Sequence, residues 1–220
     1  MTGIIDYNAG NIKSVARALD VLKVEYCISK STNDLYQSER LIFPGVGDAQ
    51  YAMGELRKSG FDVFLKEKAR DGIPILGICL GSQIIFDYSE EGNTNCLGLI
   101  PGTIKHFTSI KNDFPLKVPH MGWNNLHYSS EKKSPLFEGI GDDSSFYFVH
   151  SYVIQPEDES VITAWADYGI KVPAAVAKKN ILALQFHPEK SGDVGLHILE
   201  NFVKLRKEDF LEGRLSFLKE

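Results

Sequence analysis

The chain has 220 residues, 43% of them hydrophobic and 24% charged, with a net charge of −5, enough for one large α/β domain or two small ones with a sufficient core. No lysine/arginine cluster could track a phosphate backbone, so nucleic acid is not expected as a partner. Three cysteines, Cys27, Cys79 and Cys96, odd in number and without a C-x-x-C pair, argue against a disulfide scaffold or a metal site and for a reducing compartment. The start leaves no room for a signal peptide and no apolar run reaches about 18 residues, so a cytoplasmic protein without a membrane segment is expected.

The chain reads as β and α units in alternation. Gly3 to Tyr7 is an apolar strand-like run, and Ile12, Val15, Ala16, Leu19 and Leu22 recur at helical spacing behind it. The loop Asn8-Ala9-Gly10-Asn11 lacks the G-x-G-x-x-G spacing of dinucleotide sites, and Asn11 also suits a helix cap. Glu25 to Ile28 and Arg40 to Phe43 read as strands, the second running into Pro44-Gly45-Val46-Gly47. Two glycines around Val46 permit a backbone flip, although Pro-Gly also makes an ordinary turn. Helical patterns follow over Tyr51 to Lys58 and Phe61 to Ala69.

Ile75-Leu76-Gly77-Ile78-Cys79-Leu80-Gly81 then reads as a nucleophile elbow: a strand turning sharply at Cys79 into a helix from Gly81 to about Tyr88, with Gly77 and Gly81 relieving the turn. A thiol so placed sits at a helix N-terminus, which favours the thiolate, and the Leu80 N–H points at a developing oxyanion. The alternative is a buried structural cysteine. Gln185-Phe186-His187-Pro188-Glu189 supplies a base and a carboxylate to orient it; on an extended chain His187 and Glu189 project to one face, and Pro188 confines the segment to a strand's end or edge. Cysteine, histidine and carboxylate make a triad by role. His150, at the end of the β-prone run Ser145 to Val149, is a second candidate base but has no carboxylate near it along the chain. Val161 to Tyr168, Ala174 to Ala177 and Ile181 to Phe186 read as strands with a hairpin across Lys178-Lys179-Asn180. Val194 to Leu205 reads as a packing helix, and 207–220 as a charged tail beyond a single domain of residues 1–206.

Gly-Ile-Cys-Leu-Gly-Ser-Gln with Phe-His-Pro-Glu-Lys resembles the class I (triad) glutamine amidotransferases. The segments Ile4 to Ser14, Phe43 to Gly47, Pro119 to Asn124 and Phe148 to Tyr152 resemble, within it, the glutaminase subunits of imidazole glycerol phosphate synthase, from about residue 3 to residue 205. That resemblance implies an open, mostly parallel sheet flanked by helices, with an antiparallel portion. It implies Cys79, His187 and Glu189 as the catalytic triad and Val46 and Leu80 as the oxyanion hole. Gly47, Gln83, Glu91, His150, Ser151 and Tyr152 would bind L-glutamine, with Glu91 on the substrate's amino group; a solvated charge is the other reading of Glu91. Asn11, Trp123 and Lys190 would face the partner, Trp123 alternatively being core. The resemblance implies no cofactor, and one partner: a cyclase subunit that takes up the ammonia in a heterodimer. With few residues after Glu189, the acceptor site is expected on that separate chain. Ser82 departs from the methionine common after Cys-Leu-Gly, and the long tail is a second departure; both leave room for a paralogue feeding another acceptor, such as a sugar. A stand-alone γ-glutamyl hydrolase would use the same triad without a partner.

Overall fold

In the computed structural model, residues 1–8, 10–111, 116–130 and 134–211 are described. Along the chain these are β1 (Thr2–Ile5), α1 (Ile12–Val21), β2 (Tyr26–Ser29), β3 (Arg40–Gly45), α2 (Ala49–Ser59), α3 (Phe61–Arg70), β4 (Ile75–Cys79), α4 (Leu80–Ile84), β5 (Tyr88–Ser89), β6 (Thr94–Asn95), β7 (Gly102–His106), β8 (His120–Asn125), β9 (His127–Tyr128), β10 (Ser145–His150), β11 (Tyr152–Pro156), β12 (Ile162–Asp167), β13 (Lys171–Lys178), β14 (Ile181–Leu184), α5 (Gly192–Lys204) and α6 (Lys207–Leu211).

The main sheet has the order β2-β1-β3-β4-β14-β13-β12-β9. Its strands pair in parallel from β2 to β14 and antiparallel from β14 to β9. Alternation along the central strands divides the core in two. Ile5, Leu41, Phe43 and Ile75 pack with Leu56, Phe61 and Leu65 of α2 and α3. Ile4, Ile42, Leu76 and Ile78 pack with Val15 and Leu19 of α1 and Ile198, Leu199 and Phe202 of α5. Each such fully buried side chain contributes roughly 1.5–3 kcal/mol, which makes the central strands the rigid base for whatever stands at their C-terminal ends. Two smaller sheets, β10-β8 and β11-β7-β5-β6, complete the described structure.

The expected elements are present, with three differences. The helix after Cys79 ends at Ile84 instead of near Tyr88. The carbonyls that a second turn would use accept other donors: Leu97 N–H bonds Ile84 O at 2.9 Å, Leu99 N–H bonds Ile85 O at 2.8 Å and Gly98 N–H bonds Phe86 O at 2.8 Å. From His120 onward the Pro119 to Asn124 motif lies in strand β8, and Tyr152 opens a further strand, β11. Residues 207–211 of the expected tail form α6, and the rest of the tail lies outside the described residues. Among the described residues no helix is long and apolar enough to cross a membrane.

Candidate active site

Register delivers the site. Gly45 of β3 pairs with Cys79 of β4, and Leu184 of β14 pairs with Ile78. Val46-Gly47 therefore leaves the sheet on one side of Cys79, and Gln185-Phe186-His187 on the other. Cys79 has φ 54° and ψ −112°, a strained conformation for a residue with a side chain and one concentrated at functional turns. The elbow is possible because its neighbours lack side chains. A Cβ on Gly81 would lie 2.0 Å from the Phe43 carbonyl oxygen, and one on Gly77 would lie 2.8 Å from the Gly81 oxygen.

Cys79 opens onto a cavity of about 340 Å³ lined by Val46, Gly47, Leu80, Gln83, Glu91, Pro119, Val149, His150, Ser151, Tyr152, His187 and Lys190. Every expected oxyanion and substrate residue is thus in one place, and Glu189 stands behind His187. His187 Nδ1 is 2.7 Å from Glu189 Oε1, both side chains being almost fully buried. The contact is made differently from the extended geometry expected: Pro188 to Lys190 form a tight 3₁₀ turn, closed by Lys190 N–H on His187 O at 3.1 Å and by the Ser191 hydroxyl on the same carbonyl at 2.7 Å. Since the carboxylate only accepts, Nδ1 carries the proton, which leaves Nε2 on the side of Cys79. Nε2 is buried without a hydrogen-bond partner among the described residues. Burial alone would lower the His187 pKa, but Cys79 and Glu189 outweigh it and raise the pKa to about 9. That environment favours an imidazolium beside a sulfur, the state in which a cysteine attacks.

The remaining contacts sort the substrate residues. Glu91 Oε2 accepts the Ala49 N–H at 2.8 Å, and burial, opposed by that bond, keeps its proton affinity above the usual carboxylate value. Gln83 Nε2 donates to Gln185 Oε1 at 2.9 Å and to Tyr152 O at 3.3 Å. His150 is not free to hold substrate with its ring. Its Nδ1 donates to Tyr152 O at 2.7 Å, so its Nε2 accepts from His120 Nδ1 at 3.0 Å. His120 Nε2 in turn faces Asn124 Nδ2 at 3.4 Å, and the His120 ring is sandwiched between Phe148 and Tyr168. Burial lowers the pKa to about 3 for His150 and about 4 for His120. Both rings are therefore neutral struts that fix the bend at Ser151, a role the sequence motif around His120 did not reveal. His150 is thereby removed as a catalytic base. Tyr7 was also missed: its hydroxyl is buried under Gly45 with no partner among the described residues.

Two residues expected at a partner surface lie near the cavity mouth. Trp123 is 59% exposed and packs edge-on against Tyr147, over which Lys190 Nζ lies at 6.0 Å. Met121, on the same face of β8, is 61% exposed. Asn11, expected there too, is half-buried, with its amide 3.1 Å from Oε1 of Glu189, the residue before Lys190, and no side-chain cap bond to its helix.

Residues 3–205 match the family described as glutamine amidotransferase class-I. The imidazole glycerol phosphate synthase subunit HisH of Geobacillus thermodenitrificans is 46% identical over 92% of this chain and 95% of its own. The subunit of the same name from Dehalococcoides mccartyi is 43% identical over 95% and 99%. A crystal structure of a glutamine amidotransferase, 21% identical, superposes with a TM-score of 0.71 over 92% of this chain and 98% of its own, which shows the shared fold. The chain belongs to the glutamine amidotransferase class-I family, alongside the imidazole glycerol phosphate synthase subunits named HisH.

Proposed function

We propose that this chain is the glutaminase subunit of an imidazole glycerol phosphate synthase, hydrolysing L-glutamine and passing ammonia to a cyclase partner in histidine biosynthesis. The observation that carries the reading is the strained Cys79 at the floor of a cavity that also contains His187, backed by Glu189 at 2.7 Å. Relatives bearing that subunit name at 43–46% identity support the choice of acceptor.

Cys79 sulfur attacks the substrate's side-chain amide carbon. The N–H groups of Leu80 and of the Val46-Gly47 loop hold the resulting oxyanion; such a donor is worth roughly 10²–10³ in rate. The imidazolium of His187 gives its Nε2 proton to the departing nitrogen, and ammonia leaves. A γ-glutamyl thioester remains on Cys79. Neutral His187 then takes a proton from water as it attacks the thioester, and glutamate departs with regeneration of the thiolate. Glu189 keeps Nδ1 protonated and compensates the charge on the ring. Glu91 receives the substrate's ammonium, and the Ser151 bend its carboxylate.

Ammonia released beside Val46 and Pro119 needs an acceptor site sealed over the cavity mouth. The exposed face of Met121, Trp123 and Lys190 is where a cyclase subunit would dock. A glutamine analogue with an electrophilic diazoketone in place of the amide tests the chemistry. Labelling confined to the Cys79 peptide, blocked by L-glutamine and absent in Cys79→Ala, is expected; labelling spread over Cys27 and Cys96 contradicts it.

A further inference from the structure

We infer that Asn11 is a positioning residue of the catalytic centre, the link between Ser14 and Glu189 in a chain Ser14–Asn11–Glu189–His187. The inference rests on the reading of Cys79, His187 and Glu189 as a triad.

The side chain of Asn11 is not spent on its own helix. Asn11 occupies the N-cap position of α1, where an asparagine ordinarily accepts a backbone N–H with its amide oxygen; here it makes no such bond. Its oxygen instead accepts the Ser14 hydroxyl at 2.9 Å, one helical turn on. That contact fixes the amide plane, because the oxygen faces Ser14 and the NH₂ must face the other way. In that direction lies Glu189 Oε1, 3.1 Å away, an acceptor-only atom when ionised. Donor and acceptor roles are therefore determined along the whole chain: hydroxyl to amide oxygen, amide NH₂ to carboxylate, imidazole Nδ1–H to the same carboxylate oxygen.

Glu189 needs this support. Its side chain is only 1% exposed, its Oε2 has no hydrogen-bond partner among the described residues, and it sits on a single 3₁₀ turn. Without Asn11, the carboxylate would face His187 alone and could rotate about its terminal torsion, letting the imidazole tilt away from Cys79. The ten-residue α1 has no acidic residue in its first turn, so the carboxylate held by Asn11 also provides the negative charge that a helix N-terminus favours. Neither Asn11 nor Ser14 lines the glutamine cavity, so their effect reaches the substrate only through His187.

The test uses the full chain and reads the rate of haloacetamide alkylation at Cys79 against pH, following the Cys79 peptide by mass spectrometry so that Cys27 and Cys96 do not interfere. Steady-state glutaminase kinetics accompany it. Asn11→Asp places a second carboxylate against Glu189. Like charges at that distance hold protons more tightly and also favour the imidazolium, so both limbs of the alkylation profile should move up by about a pH unit. Asn11→Ala removes one hydrogen bond to a charged group and should lower kcat about tenfold with KM for glutamine unchanged. Ser14→Thr should retain the wild-type rate, and Ser14→Ala should lose part of it. A wild-type profile in Asn11→Asp together with an unchanged kcat in Asn11→Ala overturns the inference while leaving the triad standing. A wild-type Cys79 profile no different from that of Cys27 removes the triad itself, and the inference with it.

Discussion

Replacing Gly81 by alanine should damage this protein far more than the same change at Gly54, although both glycines lie in helices. At Gly81 the added methyl would lie 2.0 Å from the Phe43 carbonyl oxygen and 3.1 Å from its carbon. Ordinary van der Waals contact needs about 3.4 Å, so α4 and β3 must separate by over an ångström in a close-packed core. Neither side can yield easily, because both contacts are backbone and Gly45 abuts Gly81 N–H from the same strand. A cost of about 3 kcal/mol follows, at the upper end for overpacking. For a domain of this size that is a melting-temperature drop of about 6–12 °C. The shift also moves Leu80 N–H from the oxyanion position, so glutaminase activity should fall by roughly 10²-fold. At Gly54 nothing stands within 4 Å of the new methyl, and alanine should stabilise by about 0.5–1 kcal/mol through helix propensity and the unfolded chain. Thermal denaturation of the two variants side by side, with activity measured in each, decides the matter. A Gly81→Ala protein that melts within 2 °C of wild type and keeps its activity would refute the close strand–helix approach on which the elbow depends.

Other consequences are equally specific. Glu189→Gln keeps the shape but removes the charge that favours the His187 imidazolium and lets an amide NH₂ compete with the oxygen for the place facing Nδ1; kcat should fall by roughly 10³–10⁴ with little change in KM, as steady-state kinetics would show. His120 and His150 are held neutral in the folded state, with pKa values pushed down to about 4 and about 3. The unfolded chain takes up their protons first, near pH 6.5, so their share of stability is complete above that pH and is lost as pH falls towards 4. Together they account for a loss of about 3–4 kcal/mol between pH 7 and pH 5. In His120→Phe, whose ring fits the slot between Phe148 and Tyr168, that loss should shrink by about half in urea titrations. If a cyclase subunit docks as proposed, Trp123→Ala should weaken its binding by about 2 kcal/mol, measured by titration calorimetry, without changing the melting temperature of the isolated chain.

The central strands and the elbow were legible because each rule they obey is local. An apolar run needs two covered faces, and a cysteine between glycines at a strand's end has few other uses. His187 and Glu189 were legible as a pair because they lie two positions apart, even though the chain joins them by a 3₁₀ turn and not by an extended strand. What stayed hidden depended on contacts distant in sequence. Helix α4 stops because carbonyls 84–86 are taken by residues 97–99, which no propensity in the elbow reveals. The ring of His150, expected to help hold glutamine, is bound to His120 across the β8–β10 pair. Asn11, expected at a partner surface or as a cap, is 178 residues from the carboxylate it touches. Side-chain identity made each of these residues conspicuous, and only the sheet register determined which partner it met.

Ammonia release from L-glutamine by the purified chain, alone and with a cyclase subunit of imidazole glycerol phosphate synthase and its ribonucleotide ligand, is the decisive measurement of whether Cys79 works as a partner-dependent glutaminase nucleophile. Strong stimulation by the complete mixture, abolished in Cys79→Ala, is expected. Equal activity with and without the cyclase, or activity that survives in Cys79→Ala, would contradict it.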